Sequence, residues 1–237
     1  MKNINLAKRY IAKYSRNHNT VPDLCKENAR LVLRSLCVDY NYMNFSNPRQ
    51  GTKVTFCAQF ARNSHNCSGP FPPALRTCLE ELVERTAIEE KTRGVSKLAR
   101  QKIVDYFAGM NVQDFRKKLR NKNRKYELVE GALDALSASH CRRELSLISK
   151  ILVNLAFASF RSDCGYSKYD SIVKGHLYTY LNSMPGNTVV YDKNSFNGNN
   201  FNVYLEYCSE IGKLAKLHRV SRFEIDQIIW FFGRVNP

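Results

Sequence analysis

The sequence predicts an all-α protein, and three observations carry that expectation. Apolar residues recur at three- and four-residue spacing over most of the chain, the period of a helix with one buried face. Caps and breakers such as Pro22, Ser96, Gly109, Asn111 and Ser221 divide these runs into segments of ordinary helix length. Only two short stretches, near 52–60 and 187–192, have a strand-like character, so at most a small β element is expected there.

Residues 3–15 and 22–38 read as helices, with Pro22 near the start of the second. Residues 41–71 gather Asn, Ser, Gly and Pro, and "TKVTFCAQF" within them reads as extended. "GPFPP" is a break, after which "ALRTCLEELVERTAIEE" reads as a helix ending near Gly94. A boundary placed there gives a mostly helical N-terminal subdomain, 1–94, and a second helical domain, 95–237. Ser96 caps "KLARQKIVDYFAGM", which stops at Gly109, and Asn111 with Asp114 opens "VQDFRKKLRN". A further helix is expected at about 125–136.

Residues 142–158, "RRELSLISKILVNLAFA", make the strongest core helix. Leu145, Ile148, Leu152, Leu155 and Ala156 share one face, and Lys150 falls on the other, near Ser146 and Asn154. "SFRSDCGYSKY" is a linker, and Asp170 stands at the cap of the next helix, "SIVKGHLYTYL". Residues 182–200, with PG, NG and several Asn, read as a loop with room for a small hairpin around "TVVY". "FNVYLEYCSEIGKLAKL" and "SRFEIDQIIWFFGR" close the chain as helices, with Ser221 and Glu224 fitting a capping box.

The charge narrows the function. Lys and Arg number 37 against 21 Asp and Glu, a formal net charge of +16, which favours a polyanionic partner. Residues 93–125 hold eleven Lys or Arg and two Asp, and "RKKLRNKNRK" has seven basic residues in ten. So lopsided a cluster fits a phosphate-contacting patch, built on Arg116, Lys117, Lys118, Arg120, Lys122, Arg124 and Lys125. A nuclear import signal would look similar. No apolar run approaches the roughly 18 residues of a membrane span, and the first residues lack the apolar core of a signal peptide. A cytoplasmic protein is therefore expected, nucleoid-associated in a prokaryote or nuclear in a eukaryote, with no membrane partner. The eight cysteines contain no CxxC pair. Cys57, His65, Cys67 and Cys78 do not have the spacing of a zinc knuckle, so no zinc is expected there, and none of the functions weighed below calls for a metal or an organic cofactor.

Lys150 precedes Asp170 by twenty residues, inside a core helix with a turn between. The segments "LSLISKILVNLAF" and "SKYDSIVKGHL" resemble the lysine and aspartate segments of the helix-hairpin-helix DNA glycosylase superfamily, the 8-oxoguanine glycosylase branch in particular. The closing "VYLEYCSEIGKLAKLHRVSRFEIDQIIWFFGR" is similar to C-terminal helices of bacterial members of that fold. The resemblance covers roughly residues 95–237. The chain departs from it where "LSLIS" replaces a glycine-rich turn close to L-P-G-x-G, which would bring backbone amides to a DNA phosphate. The four-cysteine iron–sulfur loop of some relatives is also missing.

The resemblance implies a base-excision glycosylase acting on damaged or modified bases in double-stranded DNA, with the target base extruded. Lys150 would attack the sugar as a nucleophile, forming a Schiff base that permits strand cleavage. Asp170 would stabilise the oxocarbenium-like state. Arg142 and Arg143, read as lying earlier on the helix of Lys150, would help to keep its amine neutral and contact DNA, and His176, in the helix after Asp170, would donate to a phosphate. Tyr166, Tyr169, Phe223, Trp230 and Phe231 are candidates for a base pocket. Two alternatives stand beside excision. One is a non-catalytic DNA-binding protein on the same scaffold, with Lys150 on phosphate and Asp170 only a cap. The other is an RNA- or protein-binding module that neutralises some other polyanion.

Overall fold

The computed structural model describes residues 22–32, 52–90 and 94–235. Among them are nine helices, plus a shorter helical stretch at 26–32. No strand occurs among these residues; one isolated antiparallel bridge joins Pro70 to Asn111. The all-α class therefore holds. No helix of the described residues is long and apolar enough to cross a membrane. The expected helix at 3–15 lies outside the described residues, as does all of 22–38 beyond residue 32.

Chain contacts separate two units. Of the described residues, one gathers 22–32, 170–197 and 206–235; the other holds 52–90, 94–169 and 198–205. The boundary expected at 94/95 thus falls inside the second of these, here called the basic unit.

The basic unit begins with α1 (Lys53–His65), and here the structure corrects the sequence reading. "TKVTFCAQF" is helical, not extended. Its buried residues Val54, Cys57, Phe60 and Ser64 follow the three- to four-residue period, while the Thr and Phe alternation that suggests a strand leaves Thr55 and Phe56 only part-buried. The Thr52 hydroxyl caps it, accepting from the Thr55 amide. Helix α2 (Pro73–Glu89) starts with Pro at its first position and buries Leu75, Leu79, Leu82 and Val83. Helix α3 (Lys97–Ala108) is capped by Ser96 and stops at Gly109, and α4 (Val112–Leu119) is capped by Asn111, all as the sequence predicts. Helix α5 (Glu127–Ala138) follows.

Helix α6 (Leu145–Phe160) is the centre of this unit, packing on α1, α2, α4 and α5. All residues from Leu147 to Ala156 are buried. Each fully buried Leu or Ile contributes about 1.5–3 kcal/mol. Because α6 is covered all round, Lys150 and Asn154 are also buried, not on an outer face as the one-faced reading expects. Arg142 and Arg143 precede the first helical residue and are exposed in the connection, not earlier on the helix of Lys150 as the sequence suggests.

Four buried tyrosines brace the loops of the basic unit. Tyr126, Tyr166, Tyr169 and Tyr204 meet edge-to-face at centroid distances of 5.6–6.1 Å. Their hydroxyls donate to the carbonyls of Gly165, Lys118, Gly198 and Ser167 respectively. Tyr166 and Tyr169 are thereby core residues, not walls of an open base pocket.

The other unit contains α7 (Ser171–Asn182), most of α8 (Phe201–His218) and α9 (Arg222–Val235). Helices α7 and α9 pack closely: a Cβ at Gly233 would collide with Ile172 and His176. The predicted capping box at the start of α9 is present. Ser221 N–H donates to Glu224 Oε2 at 2.7 Å, and Glu224 N–H to Ser221 Oγ at 3.2 Å. Phe223 and Phe231 are buried and Trp230 is half-buried. The hairpin around "TVVY" does not form. Instead the Asn182 side chain pairs with both backbone groups of Tyr191, at 2.8 and 2.9 Å, and satisfies there what a partner strand would.

Asp170 is the N-cap of α7, its carboxylate accepting from the Ile172 amide at 2.9 Å. Asp170→Ala should destabilise this unit by about 1 kcal/mol, whereas Asp170→Asn should hold most of that, as read by urea denaturation.

Candidate nucleic-acid interface

The sequence-predicted basic cluster is gathered by α4 and the loop behind it. Val112, Phe115 and Leu119 form the buried stripe of α4, at helical spacing. Phe115 sits edge-on to Phe60, Phe71 and Phe107, which fixes the rotation of the helix. Arg116, Lys117 and Lys118, between Phe115 and Leu119, are thereby turned outward.

The loop 120–126 is held in an uncommon shape. Asn121, Arg124 and Tyr126 all have left-handed backbone angles, φ 46°, 50° and 52°. Asn121 is buried and explains much of this: its side chain accepts from the Tyr126 amide at 2.9 Å and donates to the Cys164 carbonyl at 3.2 Å. Together with Tyr126 and Tyr166 it ties the loop to the 163–166 turn. Left-handed non-glycine residues cost free energy and persist only where the surroundings fix them. The basic residues are therefore carried on a braced platform.

Arg116, Lys117, Lys118, Arg120, Lys122 and Lys125 line one open cleft of about 790 Å³. Only two carboxylates, Asp114 and Glu127, share it. His65, Asn121, Asn123 and Phe160 complete the lining. Arg116 is set by contacts from α1: it donates to Ser64 Oγ at 2.8 Å and lies 3.5 Å from His65 Nδ1. Burial lowers its pKa below that of an ordinary guanidinium. Lys118 reaches Glu127 at 3.3 Å, a half-exposed pair of little energetic weight. A concave surface with this excess of cations focuses a positive potential.

The remaining expected residues are not in the cleft. Arg124 is exposed on the same loop. Arg143 donates to Ser137 Oγ at 3.0 Å, and Arg142 is exposed beside it. His176 lies edge-on to Phe232 at 5.4 Å, and burial lowers its pKa, which disfavours the charged form that pairs best with phosphate. Lys150 and Asp170 belong to different units.

Lys150 is instead part of a buried charge cluster that the sequence does not suggest. Glu90, at the end of α2, has a side chain only 8% exposed. Its Oε1 accepts from Lys53 Nζ at 2.5 Å and from Lys168 Nζ at 2.8 Å. Lys150 Nζ donates to the Glu90 carbonyl at 3.3 Å, and Asn154 Nδ2 lies 3.4 Å from Oε1. Lys53, Lys150 and Lys168 are 5%, 3% and 4% exposed. Burial pushes the Glu90 carboxyl up, but Lys168, Lys53 and Lys150 together outweigh it and hold the group well below its ordinary value.

Of the residues weighed for zinc, Cys57 and Cys78 are buried, and burial pushes both thiols up, Cys78 to about 11. Among the described residues no group of three His, Cys, Asp or Glu is placed to hold a metal ion. Comparisons with family models, curated proteins and solved structures found no match.

Proposed function

We propose that this protein binds nucleic acid through the cleft of α4 and the 120–126 loop, as a phosphate-contacting protein rather than an excision enzyme. The observation that carries the reading is the convergence of six cations, against two carboxylates, on one braced concave surface. Counterion release from the phosphate backbone would supply most of the affinity.

The burial of Lys150 favours binding over excision. A nucleophile must reach a sugar carbon, and this amine is enclosed against the Glu90 carbonyl beside two further lysines. We assign Lys150 to the internal charge cluster and Asp170 to capping.

Two measurements test this. Fluorescence anisotropy with labelled duplex DNA should give an affinity that falls steeply as salt rises. Absent or salt-independent binding to both this duplex and a single strand of the same length would overturn the reading. Borohydride added to mixtures with abasic, 8-oxoguanine, uracil or alkylated duplexes should trap no covalent protein–DNA species; a trapped band would reinstate the lysine Schiff base.

A further inference from the structure

Within the cleft one side chain is apolar. Phe160, the last residue of α6, is the one phenylalanine ring in the lining and is only half-buried. The large aromatic rings that build the core of this unit, Phe60, Phe107, Phe115 and the four tyrosines, are enclosed. The Arg116 and Arg120 guanidinium carbons lie over the Phe160 ring, at 5.4 and 6.0 Å from its centroid. Arg116 is held there by the buried Ser64 hydroxyl.

Resting on the nucleic-acid reading above, we propose that the cleft takes an unpaired segment of nucleic acid, with a base stacked on the Phe160, Arg116 and Arg120 group, in preference to intact duplex. A basic groove that tracks the backbone, combined with an aromatic platform, is how single strands are held without sequence readout. Arg planes serve as stacking partners for bases as well as phosphate ligands. In a duplex both faces of a base are already covered by neighbours, so Phe160 would gain nothing from it. A cleft of about 790 Å³ falls in the range of pockets that enclose a small ligand. It is large enough to receive a splayed-out nucleotide.

The test uses the full chain and three labelled probes at one salt concentration. These are an oligothymidylate with a central 2-aminopurine, the same strand in duplex, and an abasic tract of equal length. Wild-type protein should bind the single strand about tenfold more tightly than either other probe, and should change the 2-aminopurine fluorescence on binding. Phe160→Ala should lose that advantage, with duplex and abasic affinities and the salt slope unchanged. Phe160→Tyr, which keeps a stacking ring, should retain it.

The proposal is overturned if Phe160→Ala binds the single strand like wild type. It is also overturned if Phe160→Ala weakens all three probes alike, which would make the residue merely structural. If no probe binds in a salt-sensitive way, the nucleic-acid reading itself fails, and that outcome is distinct from both.

Discussion

Glu90→Gln should cost the basic unit about 3–5 kcal/mol, the cost of removing one partner from a buried ion pair. The substitution keeps the shape of the side chain and removes the charge that Lys53, Lys150 and Lys168 share. Against a typical folding free energy of about 5–15 kcal/mol, that loss takes a marginal domain close to unfolding. Chemical denaturation followed by circular dichroism would read it. A change under about 1 kcal/mol would show that the cluster is not a structural keystone.

The same cluster predicts an acid limb. The folded Glu90 carboxyl lies below its ordinary value of 4.5, so the unfolded chain takes up this proton first as pH falls. The stabilisation is complete above about pH 4.5 and is lost as pH drops through the lowered folded value. Glu90→Gln should remove this part of the acid sensitivity.

The second large effect is on binding. Lys117, Lys122 and Lys125 are exposed and line the cleft, so their replacement by Ala together should leave the fold intact. Each phosphate that is no longer neutralised lowers the salt slope on B-DNA by roughly 0.9, so three lower it by roughly 2.7. With the non-electrostatic part unchanged, that is about 500-fold in affinity at about 0.1 M salt. An unchanged slope in the triple variant would place the phosphate-binding residues elsewhere.

What the sequence reveals of this molecule follows the range of the interactions involved. Ser96, Asn111, Asp170 and the Ser221–Glu224 box are legible because a cap is a bond between neighbours a few residues apart. The basic surface of α4 is legible for the same reason: Val112, Phe115 and Leu119 mark the inner face within eight residues. The Glu90 cluster is not, since its partners stand 37, 60 and 78 residues away along the chain. Periodicity misplaces Lys150 because it identifies one buried face, and α6 is buried on all of them. Ser64, which positions Arg116, lies 52 residues from it, and nothing local to either residue signals the pair. Helix α1 is hidden by a two-residue alternation that happens to overlie a three- to four-residue one.

The most direct test of the central claim is lysine footprinting with an amine-reactive label, with and without an oligonucleotide, read by mass spectrometry. The cleft account predicts that Lys117, Lys122 and Lys125 lose reactivity on adding nucleic acid. Lys193 and Lys216, exposed lysines of the other unit, should keep theirs. Protection of Lys193 and Lys216 with Lys117, Lys122 and Lys125 unchanged would contradict it.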